Sequence, residues 1–304
     1  MITVIGSINL DLTANASRLP APGETVGGSD FATAAGGKGA NQAVAVLRAG
    51  APMRMVGAVG DDAFAAGALA ELTRDGADLS GVRKLTGASG IAVILVGGDG
   101  ENMIVVVPGA NALVDETMAR TAVAALQKGD VIVLQQEIPA ATNAAALDAA
   151  RAAGVTSVFN TAPFTKDSAS LSEKADIVVA NETEFALLIG REVAGKALTD
   201  AVISLAKAKS QTIIVTLGGD GAVAATKSGE LLLAEAPKIT PVDTVGAGDT
   251  FCGYLAAALG AGDNLQTALE RAAMAGALAC LKPGAQPAIP YASEVDAALS
   301  RGSR

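Results

Sequence analysis

Histidine is absent from the chain, and so is tryptophan. The first absence rules out His-based triads and His-ligated zinc, and it leaves proton transfer to Asp, Glu, Lys, Cys or Tyr. Aromatic residues make up only 3% of the chain while hydrophobic residues make up 50%, so the core must be assembled from Ala, Val, Leu and Ile. The two cysteines, Cys252 and Cys280, sit in Ala/Leu-rich stretches of helical spacing, with no partner at metal-ligand spacing. Buried free thiols in a reducing cytoplasm are the expectation. No apolar run reaches the roughly 18 residues a membrane helix needs, and no basic segment followed by an apolar stretch opens the chain, so neither a membrane span nor a secretory leader is expected. Positive charge is also short. With 22 basic against 31 acidic residues the net charge is −9, which repels nucleic acid and anionic membranes alike. A nucleotide remains compatible wherever backbone N–H groups, a local Lys or a metal meets its phosphates.

Short β-branched runs alternate with Ala-rich segments of helical period, the signature of βαβ units. The runs 3–5, 54–59, 131–134, 157–159, 177–180 and 213–216 read as strands. The segments 39–49, 63–75, 140–153, 198–208, 250–261 and 265–281 read as helices with one apolar face. These predict an α/β fold of three α/β/α layers on a mostly parallel sheet. Two stretches break the rhythm, 12–33 and 90–107. In the second, Ile91–Val96 and Met103–Val107 flank the turn formers Gly97-Gly98-Asp99-Gly100, which predicts a hairpin. Hairpins inserted among parallel units suggest a small β lid over a ligand that needs shielding from water. No repeat, low-complexity tract or linker divides 1–304, so a single domain is expected, ending in a short polar tail at 302–304.

The strongest local signal is Asp243-Thr244-Val245-Gly246-Ala247-Gly248-Asp249-Thr250-Phe251, running into an apolar helical stretch. Small residues before a helix let free N–H groups converge on an anion, and the helix dipole adds positive charge there. Gly246, Ala247 and Gly248 are therefore candidates for an anion hole. On its own, Asp249 reads first as a helix cap. A P-loop is excluded because Lys38 is followed by Gly39 rather than Ser or Thr, and a dinucleotide fingerprint is missing after the first strand, where Gly6-Ser7-Ile8-Asn9 stands.

The Asp243–Phe251 string resembles the C-terminal signature of the ribokinase/phosphofructokinase-B family of carbohydrate kinases. Gly36-Gly37-Lys38-Gly39-Ala40-Asn41-Gln42, about 200 residues upstream, resembles that family's N-terminal Gly-Gly motif. The likeness runs from Gly6 to about Pro290. It implies transfer of a phosphoryl group from ATP to a small sugar, D-ribose at O5, with Asp249 as general base. It further implies that Asn9, Asp11, Gly37, Lys38, Asn41, Glu137 and Asp249 hold the sugar. Residues two apart on a strand share a side, which suits Asn9 and Asp11 to neighbouring hydroxyls. Glu137 follows a predicted strand, at the carboxyl end where open sheets place ligands.

Asn181-Glu182-Thr183-Glu184 resembles the family's Asn-x-x-Glu motif. Through it Glu184 reaches Mg2+ by way of water, while the residues themselves also spell a helix N-cap. Thr216, Gly218, Gly219, Gly221 and Gly248, with Asn181, are implied contacts of the ATP. Asp243 together with Val245, Ala279, Lys282 and Gly284 is implied to surround an activating K+ ion, largely through backbone carbonyls. Ala288 stands where the pattern often has a Ser. The resemblance also implies a homodimer formed through the lid. Competing readings are a family kinase for deoxyribose, fructose or a nucleoside, and a silent sugar-binding protein, which would be expected to have lost Asp249.

Overall fold

The computed structural model describes residues 1–302; Ser303 and Arg304, the end of the polar tail, lie outside the described residues. In chain order the first half contains β1 (Ile2–Ile5), β2 (Asn9–Ala16), β3 (Gly28–Gly36), α1 (Lys38–Arg48), β4 (Met53–Gly60), α2 (Phe64–Ala68) and α3 (Ala70–Arg74). These are followed by β5 (Asp78–Leu85), β6 (Gly90–Val96), β7 (Asn102–Val107), α4 (Glu116–Ala124), β8 (Val131–Leu134) and α5 (Ala140–Ala153). The second half contains β9 (Thr156–Asn160), α6 (Ser168–Ser172), β10 (Ile177–Asn181), α7 (Glu182–Ile189), α8 (Gly195–Lys209), β11 (Thr212–Thr216), β12 (Ala222–Ala225) and β13 (Leu231–Ala234). It closes with α9 (Ala247–Ala261), α10 (Leu265–Ala279) and α11 (Ala292–Gly302).

A nine-stranded sheet runs in the order β13-β12-β11-β10-β9-β8-β1-β4-β5. From β11 to β5 every pairing is parallel, and β12 and β13 add an antiparallel hairpin at one edge. Strand alternation sends Val4 and Val133 to one face, into a core shared with α1, α9 and α10. Ile5, Ile132 and Leu134 go to the other face, with α4, α5 and α8. A parallel sheet covered on both faces explains why its strands read as unbroken apolar runs. Few aromatics are needed: Tyr254, Phe159 and Phe185 are the largest fully buried side chains.

Three expectations need correction. The lid is larger than 12–33 and 90–107: its second sheet, in the order β3-β2-β6-β7, begins at Asn9 and extends to Gly36. The segment 63–75 is bent at Leu69 into α2 and α3, with Leu69 N–H donating to Ala65 O and Thr73 N–H to Leu69 O across the bend. Strands β5, β12 and β13 do not stand out in the sequence: β5 and β13, at the two edges of the sheet, are only partly buried, and β12, though buried, is a short Ala-rich run. The hairpin around Gly97–Gly100 forms as expected, with Ile91 opposite Val107 and Val96 opposite Asn102.

The second sheet meets α1 tightly just beyond the carboxyl end of β1. Gly37, the N-cap of α1, has φ 87, and a Cβ there would lie 2.8 Å from the Asn9 nitrogen, so no other residue fits.

Candidate active site

Helix α9 begins three residues earlier than its apolar run suggested, at Ala247, with Gly246 as N-cap at φ 77. Asp249 is therefore the third residue of the helix, and no side-chain cap bond is made there. Its carboxylate turns inward instead, with only 7% of the residue exposed. Asn41 Nδ2 donates to Asp249 Oδ2 at 2.9 Å and Gln42 Nε2 donates to Oδ1 at 3.0 Å. Both donors come from the first turn of α1, which packs along α9. The Gly248 and Asp249 N–H groups have no acceptor within the helix, since they belong to its first turn. A buried carboxylate and two free helix N–H groups thus share one turn.

Other acids converge on the same point. Ser7 Oγ donates to Glu137 Oε2 at 2.6 Å, and the Lys38 N–H donates to the same oxygen at 3.0 Å. Asp11 lies under Gly36, close enough to feel both Glu137 and Asp249. Burial first, then these two carboxylates, pushes the Asp11 pKa up to about 6. Asp249 is also raised, chiefly by burial, against the pull of Lys38 and the Asn41 and Gln42 amides. Lys38 answers in the opposite sense: nearby Asp249 above all, then Glu137 and Glu184, hold its ammonium protonated more firmly than usual, although burial opposes this. Asn9 and Asp11 share a side of β2, and Asn9 Oδ1 accepts from Asn111 Nδ2 at 2.7 Å.

Beside these N–H groups lies a cavity of about 380 Å³, the size of a small-ligand site. Thr216, Gly218, Gly219 and Gly221 form one wall, Gly248 and Phe251 the second, and Ala273, Gly276 and Ala277 of α10 the floor. Residues Ala236–Pro241 close it. Asn181, expected against the same ligand, does not line this cavity; it caps α7, accepting from Glu184 N–H at 2.8 Å. Glu184 Oε2 accepts from Asn181 N–H and, at 2.9 Å, from Thr161 Oγ1, so the capping box exists while the carboxylate still acts on Lys38.

The turn before α9 and the 282–288 loop meet through Asp243, whose two oxygens accept the N–H groups of Val245 at 3.0 Å and Gly284 at 2.8 Å. Lys282 turns its ammonium to Glu294, which leaves only its carbonyl for a cation. Ala288, where the pattern often has a Ser, is fully buried and brings no side-chain oxygen of its own. Cys252 and Cys280 are free and buried, as expected. No helix among the described residues is long and apolar enough to cross a membrane.

Sequence reasoning missed the supporting polar residues Ser7, Gln42, Asn111 and Gln286, and it missed the cavity floor on α10. Ser7 and Gln42 stand inside the quoted motifs, so adjacency was their only signal. The floor residues Ala273 and Ala277 look like any buried face of a helix.

The sequence matches the pfkB family carbohydrate kinase description over residues 1–292. Ribokinase of Schizosaccharomyces pombe is 36% identical over 98% of both chains, and deoxyribokinase of Salmonella typhimurium 33% identical over 98% of both. Among solved structures, Arabidopsis thaliana ribokinase complexed with ribose and ATP superposes with a TM-score of 0.88, at 31% identity and 98% coverage of each chain.

The raised Asp11 pKa has a cost with a definite sign. Its carboxylate ionises more readily in the unfolded chain, from a value of 3.8, than in the fold, at about 6, so the charge destabilises above pH 6 and the penalty vanishes below about pH 4. Asp11→Asn is expected to stabilise the protein by roughly 1–3 kcal/mol at pH 8, with the gain shrinking as pH falls through the window between those two values. Thermal melts across pH 4–8 test this; a variant less stable than the parent at pH 8 would contradict it.

Proposed function

The chain belongs to the pfkB family of carbohydrate kinases, and we propose that it phosphorylates D-ribose at O5, with ATP as donor and Asp249 as base. The observation that carries this reading is the buried Asp249 carboxylate, held by Asn41 and Gln42 in the same turn as the N–H groups of an anion hole. The family likeness supports the choice of ribose. The lid strand β2 supplies Asn9 and Asp11, while Gly37, Lys38, Asn41 and Glu137 complete the sugar pocket.

In the reaction, Asp249 accepts the O5 proton as the bond from O5 to the γ-phosphorus forms and the bridge to ADP breaks, its electron pair leaving with ADP. Charge growing on the transferred group meets the N–H groups around Gly246–Asp249 and the Lys38 ammonium. The ATP occupies the cavity walled by Thr216, Gly218, Gly219 and Gly221, its base over the small residues of α10. Glu184 fits a water-mediated contact to Mg2+, which, when bound with ATP, neutralises phosphate charge. An oxygen-only set, the Asp243 carboxylate with carbonyls of Val245, Ala279, Lys282 and Gly284, suits K+. There Asp243 already ties the anion-hole turn to the 282–288 loop.

The test is ADP release with MgATP against ribose, deoxyribose, fructose and adenosine, with K+ or a large inert cation. Ribose is expected to lead and to weaken without K+. A lead for deoxyribose would move the substrate to the second reading, which the relative from Salmonella typhimurium favours. Asp249→Asn is expected to keep sugar affinity while turnover falls by roughly 3–5 kcal/mol of transition-state stabilisation. Near-normal turnover would remove Asp249 from the role of base.

The lid leaves Phe31 63% exposed and Met103, Ile104, Val105, Val106 and Val107 all exposed on β7, an apolar edge strand. An uncovered edge of this kind pairs readily, and a second copy of the same lid supplies a matching face. We read the working form as a homodimer of two such units, lid to lid. Val105→Glu is expected to give a monomer by light scattering at concentrations where the parent is a dimer; a monomeric parent would contradict this.

A further inference from the structure

Asp249 is held by two neutral amides, and one of these is itself held from outside the sugar pocket. Asn41 has an acceptor end and a donor end. Gln286 Nε2 donates to Asn41 Oδ1 at 3.0 Å, which leaves Asn41 Nδ2 to face Asp249 Oδ2 at 2.9 Å. Reversing the Asn41 amide would set oxygen against carboxylate and donor against donor. Gln286 is completely buried, and its Nε2 also points toward the Gly36 carbonyl at 3.4 Å. We propose that Gln286 is a positioning residue for phosphoryl transfer, setting the orientation of Asp249 through Asn41. The proposal rests on Asp249 being the base.

Backbone anchors fix the loop that carries Gln286 independently of its side chain. Arg48, the last residue of α1, is 4% exposed and donates from Nη1 to the carbonyls of Gln286 at 2.5 Å and Ile289 at 2.8 Å. Its other nitrogens pair with Glu71 and Asp75, each at 2.7 Å, and its guanidinium stacks 5.1 Å above the Tyr291 ring. The loop is also pinned where Gly284 N–H reaches Asp243. One helix thus carries both ends of a closed circuit. Its first turn presents Asn41 and Gln42 to the base, and its last turn secures the loop whose amide orients Asn41. Because the loop is pinned through its backbone, changing the 286 side chain removes the orienting bond and leaves the pins in place.

With Gln286 gone, the Asn41 oxygen is buried without a donor and the amide turns to find one, releasing Asp249 Oδ2. The base then loses one of its two restraints, whereas the ATP cavity, which Gln286 does not line, is untouched. The tests are Gln286→Met, close in shape and lacking a donor, Gln286→Glu, which offers Asn41 a competing acceptor, and Asn41→Leu, alone and combined with Gln286→Met. Ribose-dependent turnover is followed with MgATP, and melts confirm the fold of each variant. Gln286→Met is expected to lower kcat by about tenfold with the KM for ATP within about twofold of the parent, and Gln286→Glu to lower it further. In the Asn41→Leu background Gln286→Met should change kcat by less than about twofold, because the two act in series. Unchanged kcat in Gln286→Met and Gln286→Glu, or effects that multiply in the double variant, would overturn the proposal. Asp249→Asn run alongside separates the two levels. Its near-normal turnover would remove the base itself, whereas its collapse beside silent Gln286 variants would remove only the positioning role.

Discussion

A carboxylate taken out of water needs donors, and the architecture around Asp249 follows from supplying them. Asp249 enters the interior because α9 starts at a left-handed Gly246 and places it in the third helical position rather than at the cap. Its donors, Asn41 and Gln42, arrive because α1 packs against α9 almost without a gap. A Cβ on Gly253 would sit 2.4 Å from Ala45 Cβ and 2.6 Å from the Gln42 carbonyl, so only glycine allows the helices to approach so closely. The small-residue composition that looked like a plain aliphatic core is therefore also what brings the donors within reach. Neutral amides favour the ionised carboxylate without neutralising it.

Charge in the pocket is unbalanced in a purposeful way. Glu137 and Asp249 raise Asp11 and hold Lys38 protonated, and Glu137 also raises Asp249. An excess of acceptors suits a polyhydroxyl ligand, whose O–H groups donate to carboxylates. A polyanion suits the opposite environment, helix N–H groups and glycines with open space beside Gly218, Gly219 and Gly248. One turn at the start of α9 carries both environments.

Much of this was legible in the residues, and what was not has physical causes. The core strands of the sheet and the long helices declared themselves through apolar period, because both faces of the sheet are buried. The hairpin at Gly97–Gly100 was readable from turn chemistry alone. The edge strands β5 and β13 were not, since half-buried strands carry weak patterns, nor was β12, whose four buried residues are mostly Ala. Within the site, Asp249, Glu137, Lys38 and Asp11 come together as the motifs suggested. Long-range pairings were invisible: Gln286 reaches Asn41 across 245 residues, and Arg48 reaches Ile289 across 241. Asn181 illustrates a pattern with two meanings, where the cap is formed and the cavity wall lies elsewhere.

The most direct test of the account is a crystal structure of the protein with ribose and a non-hydrolysable ATP analogue. The account predicts the ribose O5 hydroxyl within about 3.2 Å of an Asp249 carboxylate oxygen, and the γ-phosphate against the N–H groups of Gly246–Asp249. An O5 hydroxyl held by Glu137 or Asp11 instead, with Asp249 still closed on Asn41 and Gln42 and away from the sugar, would contradict it.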